Sequence, residues 1–234
     1  MAKIKATLID HMGSDLSVVN AARVSFGKQS VADHWAWYEY ENGGRSGDLI
    51  ALLNEVDRKL IRYLARHKHL SPFGHAFASF HVKAPIFVAR QLVKHKFLRW
   101  NEISRRYVDD DPEFYVPNVW RGRSADKKQG SSDKKIDVIS SDTDTNRLCF
   151  IKYMDLLDDG VAPEQARMVL PQSTMTEWYW SGSLDAFASM CRLRCASDTQ
   201  YESRIVAYQI SKVMGELFPV SWMSLMDNTE HADS

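Results

Sequence analysis

The 234-residue chain carries no net charge, with thirty Lys and Arg balancing thirty Asp and Glu, and only three cysteines. A zero balance produces little long-range steering, so attraction to nucleic acid, membrane or anionic metabolites has to come from local clustering. Cys149, Cys191 and Cys195 are odd in number and lack the paired CxxC spacing of a zinc site, as expected of a protein in a reducing compartment. The opening MAKIKATLID lacks a signal-peptide pattern, so a cytoplasmic location is expected. No apolar run approaches the ~20 residues that a bilayer span needs; even residues 84–93 are interrupted by Arg90 and Gln91. There is no GxGxxG turn, so a Rossmann-type dinucleotide site is not expected. Neither HExxH nor CxxC spacing supports a metal among His67, His69 and His75, and none is predicted; His75 reads equally well as a core histidine. Fixed-period repeats and low-complexity tracts are also missing.

What is present is an ordinary globular mix, 44% hydrophobic and 26% charged. A chain of this length can bury roughly 70% of its unfolded surface. Ile4, Ala6, Leu8 and Ile9 alternate in part, predicting a strand over residues 3–10 before the turn Met12-Gly13-Ser14-Asp15. Leu49, Leu52, Leu53, Val56, Leu60, Ile61 and Leu64 recur at helical spacing, which predicts a helix over 49–67 that stops before Pro72. A strand over 76–82 leads into a helix that Pro85 opens and that runs to about residue 97. Residues 124–135, SADKKQGSSDKK, hold no periodic apolar position and read as an exposed loop. Further helices are expected over 143–158, 163–169, 184–193 and 198–217. A strand over 174–180 sets Trp178 and Trp180 on one face. Few strands, and helices that mostly do not alternate with them, predict a single α+β domain.

The missing charge asymmetry is local. Between Arg90 and Tyr107, six cations (Arg90, Lys94, Lys96, Arg99, Arg105, Arg106) face one carboxylate, Glu102, a net +5 in eighteen residues. On a helix, Gln91 and His95 share a face, as do Arg90 and Lys94, in stacked pairs suited to phosphates. A solvated basic face is the bland reading of such a cluster. Two features weigh against it. Ile86-Phe87-Val88-Ala89 implies a buried helix, where cations need anions to meet them. The following NEISRRY mixes amide, carboxylate, hydroxyl and guanidinium groups, as a surface for a structured ligand does.

Lys94-His95-Lys96, seven residues and Ser104 resemble the signature of the flavin-dependent thymidylate synthases, usually Arg-His-Arg, seven residues and Ser. The likeness extends through HLSPFGH at 69–75, FHVKAPIFVARQ at 80–91, Asn101-Glu102, Arg106-Tyr107, ARMVLP at 166–171, Ser181-Gly182-Ser183-Leu184, Leu193-Arg194 and Gln200-Tyr201-Glu202. It covers about 16–217, with 29–47 and 124–135 as local elaborations of one domain spanning 1–234. The chain departs from the pattern in its two lysines, in Arg99 where a small residue is common, and in Gly74, Ser189 and Asp198 where glutamate, asparagine and histidine are frequent. Lysine keeps the charge but loses the bidentate fork, which weakens a phosphate or ring contact.

The resemblance implies a small, mostly antiparallel sheet flanked by helices, assembled as a homotetramer whose active sites are shared between subunits. It implies methylation of dUMP with FAD, NADPH and 5,10-methylene-tetrahydrofolate. The dUMP residues it implies are Gln91, Leu92, Val93, Lys94, Glu102, Ile103, Ser104, Arg105, Arg106, Arg167 and Arg194, with Arg194 as the catalytic cation beside the pyrimidine. The FAD residues it implies are Ser71, Lys94, His95, Lys96, Glu102, Ser183, Leu184, Asp185 and Ser189. Alone, Arg194 also reads as a cation complementing a helix C-terminus. Ser104 has no evident His-Asp pairing and is assigned to binding. Cys191 and Cys195, at helical spacing, read as packing residues although Cys195 adjoins Arg194. Two other functions stay open: a pyrimidine nucleotide methyl- or hydroxymethyltransferase with another substrate, and a single-stranded nucleic-acid binder using the basic region and Trp35-Ala36-Trp37.

Overall fold

The computed structural model describes residues 2–38, 48–108, 110–125, 130–138 and 142–227, with backbone alone for 36–38, 48–51, 142 and 143. Strand β1 (Lys5–Met12) ends at Gly13, whose φ of +84° turns the chain into helix α1 (Asp15–Arg23). Ser14 and Ser17 close that helix start with a reciprocal capping box. Strands β2 (His34–Tyr38) and β3 (Asp48–Leu52) pair antiparallel as a separate ribbon. Helix α2 (Glu55–Arg66) then begins where Asn54 accepts the backbone N–H of Asp57 at 2.9 Å. The helix expected over 49–67 is therefore shorter by one strand, because residues 48–52 hydrogen-bond to a partner that local periodicity does not reveal.

Strand β4 (Phe77–Pro85) runs straight into α3 (Ile86–Leu92), followed by β5 (Leu98–Glu102), β6 (Trp120–Arg123) and β7 (Ser131–Ile136). Helix α3 stops five residues before the sequence implied; His95 N–H bonds back to the Leu92 carbonyl at 3.1 Å and Phe97 takes a left-handed φ of +65°. Strands β6 and β7 pair antiparallel, so residues 131–135 of the expected loop 124–135 are sheet; residues 126–129 lie outside the described part. Two further helices, α4 (Asp142–Asp158) and α5 (Pro163–Ala166), precede β8 (Met175–Ser183), and α6 (Leu184–Arg194), α7 (Tyr201–Leu217) and α8 (Pro219–Met226) end the fold.

The central sheet has the order β1-β4-β8-β5 with every neighbouring pair antiparallel. Alternation puts Phe80, Val82, Trp178 and Trp180 on one buried face, against which Phe187 of α6 packs edge-on to Phe80 at 5.3 Å and Trp180 at 5.8 Å. Trp100 of β5 stacks on Trp178 at 4.2 Å. Such aromatic contacts add about 0.5–1.5 kcal/mol each beyond area burial. Val88, Ala89 and Leu92 of α3 and Val206, Ala207 and Ile210 of α7 complete this core. Among the described residues, no helix is long and apolar enough to cross a membrane.

Candidate active site

Three elements end together at one corner of the sheet. Phe77 at the start of β4 faces Ser183 at the end of β8, Leu98 at the start of β5 faces Gly182, and the Leu184 N–H donates to the Ala76 carbonyl at 2.9 Å. This gathers the 3-10 turn Ser71–His75, the turn carrying Lys94, His95 and Lys96, and the N-terminus of α6. Gly182 makes the approach tolerable, since an added Cβ would press into the Leu98 side chain and lie 3.1 Å from the Phe97 carbonyl. Ser71, Lys94, Lys96 and Ser189 are exposed here, and Ser183 donates to the Asp185 carboxylate at 2.6 Å. Leu184 is fully buried and its N–H is taken by the Ala76 carbonyl, so its side chain does not reach the surface of this corner. His75 is exposed, contrary to the expected core histidine. Gly74 opens onto free space, with nothing within 4 Å of an added Cβ.

Glu102 does not join that corner. It sits at the far end of β5, roughly 13 Å from Leu98 at 3.3 Å per residue, and pairs across from Trp178. Its carboxylate accepts from Thr176 Oγ1 at 2.7 Å and Trp100 Nε1 at 3.1 Å. Beyond it, Ser104 Oγ accepts from Arg106 Nε at 3.2 Å, and Arg105 is engaged by the Asp110 carbonyl at 2.8 Å. Ile103 is exposed.

The residues brought together most closely are Gln91, His95 and Arg194. Because α3 has ended by Val93, Gln91 and His95 do not share a helix face; Arg194 joins them instead. Its Nε donates to His95 Nε2 at 2.9 Å and its Nη2 to the Gln91 carbonyl at 3.4 Å. Burial, followed by the Arg194 charge, lowers His95 from 6.5 to about 4, so the imidazole is neutral and its Nε2 is an acceptor. Burial also lowers Arg194 from its ordinary value. The cations read from sequence as lying on a buried helix are largely solvent-facing: Arg90, Lys94, Lys96 and Arg99 are all exposed, because only Val88, Ala89 and Leu92 of α3 face inward. Leu92 is fully buried and Val93 half exposed. Arg167 lies exposed on the 3-10 turn Arg167–Val169, its Nε donating to the Glu164 carbonyl at 3.2 Å.

Next to Gln91 opens a cleft of about 590 Å³, walled by Phe87, Tyr115 and Trp120. Gln91, Gln200, Arg121 and Glu202 supply its polar groups. Arg121 lies 3.6 Å from the Glu202 carboxylate and 3.5 Å from the centroid of the Tyr201 ring. Burial, then Glu202, pushes the Tyr115 hydroxyl up to about 12 and keeps it protonated. His95 and Arg194 stand off the cleft and reach its wall through Gln91. Tyr115, Trp120 and Arg121 stand outside every motif and periodic pattern of the sequence; Trp120 and Arg121 are placed by the pairing of β6 with β7.

A cleft of this size, with aromatic walls, paired amides and a guanidinium, has the room and the polar groups for a planar ligand of nucleotide dimensions. A sequence profile described as "Thymidylate synthase complementing protein" matches residues 7–220. The flavin-dependent thymidylate synthase of Thermus thermophilus is 36% identical over 223 residues, covering 94% of this chain and 75% of the relative. That of Kosmotoga olearia is 37% identical over 225 residues, covering 94% and 89%. Among solved structures, the UMP/dUMP methylase PolB from Streptomyces cacaoi bound with 5-Br UMP superposes with a TM-score of 0.76 at 33% identity, covering 97% of this chain and 95% of that one. Its complex with 5-Br dUMP gives 0.75 at 34%. The chain belongs to the flavin-dependent thymidylate synthase family.

Among the described residues no group of three or more His, Cys, Asp or Glu is arranged to hold a metal. Cys191 is fully buried, its thiol raised well above the usual range by burial, and its Sγ donates to the Ala207 carbonyl at 3.6 Å. It packs. Cys195 is half-buried and lowered by its hydrogen bond with Cys191.

Proposed function

We propose that this chain is a thymidylate synthase that methylates dUMP to dTMP, with FAD as cofactor, NADPH as reductant and 5,10-methylene-tetrahydrofolate as one-carbon donor. The observation that carries it is the Arg194 guanidinium held by His95 and the Gln91 backbone in a chain of this family, with the Gln91 side chain lining the adjoining cleft. Making the uracil C5 nucleophilic spreads negative charge over N3 and its flanking oxygens, and a fixed cation there lowers the barrier. Arg194 supplies that cation and is the catalytic residue. Neutral His95 holds the guanidinium in place without competing for the developing charge. Gln91, Arg106 and Arg167 bind the nucleotide, with Leu92, Val93, Lys94, Glu102, Ile103, Ser104 and Arg105 around it. Guanidinium forks suit its phosphate.

The corner of the sheet fits FAD. Exposed Lys94 and Lys96 match a diphosphate, and the hydroxyls of Ser71 and Ser183 stand at the same corner. Ser71, Lys94, His95, Lys96, Ser183, Leu184, Asp185 and Ser189 would hold it. When bound, the flavin supplies the hydride and mediates one-carbon transfer, so no enzyme nucleophile is required. Glu102, at the other end of β5, lies about 13 Å from that corner. In the homotetramer the family resemblance implies, Gln91 and Arg167 meet one ligand from different chains, and a second subunit completes each site. The chain forms one domain over 1–234, with 29–47 and 124–135 as local elaborations, and works in the cytoplasm.

Purified protein is expected to bind FAD and turn yellow, bleach under anaerobic NADPH, and convert dUMP to dTMP when methylene-tetrahydrofolate is added. Bleaching without dTMP overturns the substrate assignment. UMP belongs in the same assay as a second substrate, because the solved relative PolB is a UMP/dUMP methylase.

A further inference from the structure

The Gln91 side chain is fastened at both ends of its amide. Ser203, fully buried on α7, donates its hydroxyl to Gln91 Oε1 at 2.7 Å. Gln91 Nε2 donates to Gln200 Oε1 at 2.8 Å. Gln91 and Gln200 line the cleft, whereas Ser203 lies behind it in the core. Ser203 thus engages the Gln91 oxygen and Gln200 engages one Gln91 Nε2 hydrogen, so the hydrogens of the pair left for a ligand are the second on Gln91 Nε2 and those on Gln200 Nε2. Such a row of donors suits a carbonyl oxygen, which accepts from it. Set against an amino group, it leaves N–H facing N–H, a mismatch that costs far more than a lost methylene because polar groups end unpaired.

We propose that Ser203 is a positioning residue that, together with Gln200, orients the Gln91 amide to read a carbonyl oxygen of the pyrimidine, so that the cleft takes uracil nucleotides and rejects cytosine nucleotides. Uracil carries a carbonyl at C4 where cytosine carries an amino group. Without the Ser203 hydroxyl, a half-turn of the Gln91 amide exchanges its oxygen and nitrogen, and the same wall reads either base. The proposal rests on the reading that Gln91 holds the nucleotide.

The test compares dUMP and dCMP on the FAD-loaded protein, by calorimetric titration and by product formation. Wild type is expected to bind dUMP at least about a hundredfold more tightly than dCMP. In Ser203→Ala the ratio falls to within about tenfold, and KM for dUMP rises about tenfold while kcat stays within about threefold, the size of one hydrogen bond lost from binding. Gln91→Glu, which puts an acceptor where the N–H stood, shifts the preference toward dCMP. Should Ser203→Ala not fold, Gln200→Ala removes the other fastening from a partly exposed helix start and lowers the ratio in the same direction. Retention of both the ratio and the dUMP KM in these variants overturns the proposal, as does a wild type that binds the two nucleotides equally. A protein that binds neither overturns the assignment of Gln91 to the nucleotide as well, so the two failures are distinguishable.

Discussion

Arg194 has five N–H groups. One goes to His95 and one to the Gln91 carbonyl, and the rest of the fork is aimed by those two contacts. Arg194→Ala is expected to lower kcat by about 10²–10³-fold, the usual effect of removing one fixed group that stabilises transition-state charge, without changing the thermal midpoint by more than a few degrees. Arg194→Lys recovers little of this, since a point charge cannot contact His95 and Gln91 in the same geometry. His95 gives a signed pH effect. Its folded value of about 4 lies below the unfolded 6.5, so its contribution to stability is complete above pH 6.5 and is lost as pH falls toward 4. The thermal midpoint of wild type should therefore drop more steeply across that window than that of His95→Gln, measured by calorimetry at several pH values. Cys195→Ser should keep its dTMP activity; loss of product would give the thiol a role that its packing does not. Lys94, His95, Lys96 and Ser104 stand in the motif and Gln91 and Arg194 in the wider likeness, but the Arg194–His95 contact joins residues 99 apart and no local pattern announces it.

At the scale of elements, periodicity located β1, β4, α4, β8, α6 and α7 to within a few residues, because their buried faces alternate or recur on the sheet side. It failed where an element's reason lies elsewhere in the chain. Leu49 to Leu52 look helical yet pair with β2, and Ser131 to Ile136 look like loop yet pair with β6. Asn54 marks the true helix start, and Asn54→Ala should cost about 1 kcal/mol of stability, seen as a lower midpoint in urea. Gly182 carries a larger weight. Gly182→Ala forces β5 away from β8, which is expected to destabilise the fold by about 1–3 kcal/mol. It should also reduce FAD affinity, because the turn bearing Lys94 and Lys96 moves with Leu98.

At the scale of the whole molecule, the assigned residues divide between two ends of one sheet. A single chain leaves Glu102 and the Ser71–Lys96 corner apart by the length of β5. If subunits complete each other's sites, Gln91→Ala and Arg167→Ala should each be nearly inactive alone, and co-expression of the two should restore a measurable fraction of dTMP formation. Restoration that stays at background would place both residues in one chain's site. The resemblance implied shared sites, but the separation of Glu102 from the Ser71–Lys96 corner depends on the register of β5 against β8, which no local pattern carries.

Asp15 lies buried between the first helix and the last, its carboxylate accepting the backbone N–H groups of Val220 at 2.8 Å and Ser221 at 2.9 Å. That clasp spans 205 residues of chain. During synthesis the Asp15 carboxylate stays hydrated until the ribosome has delivered the helix that begins at Pro219, and a nascent chain cut short before Pro219 would lack the donors that close this clasp.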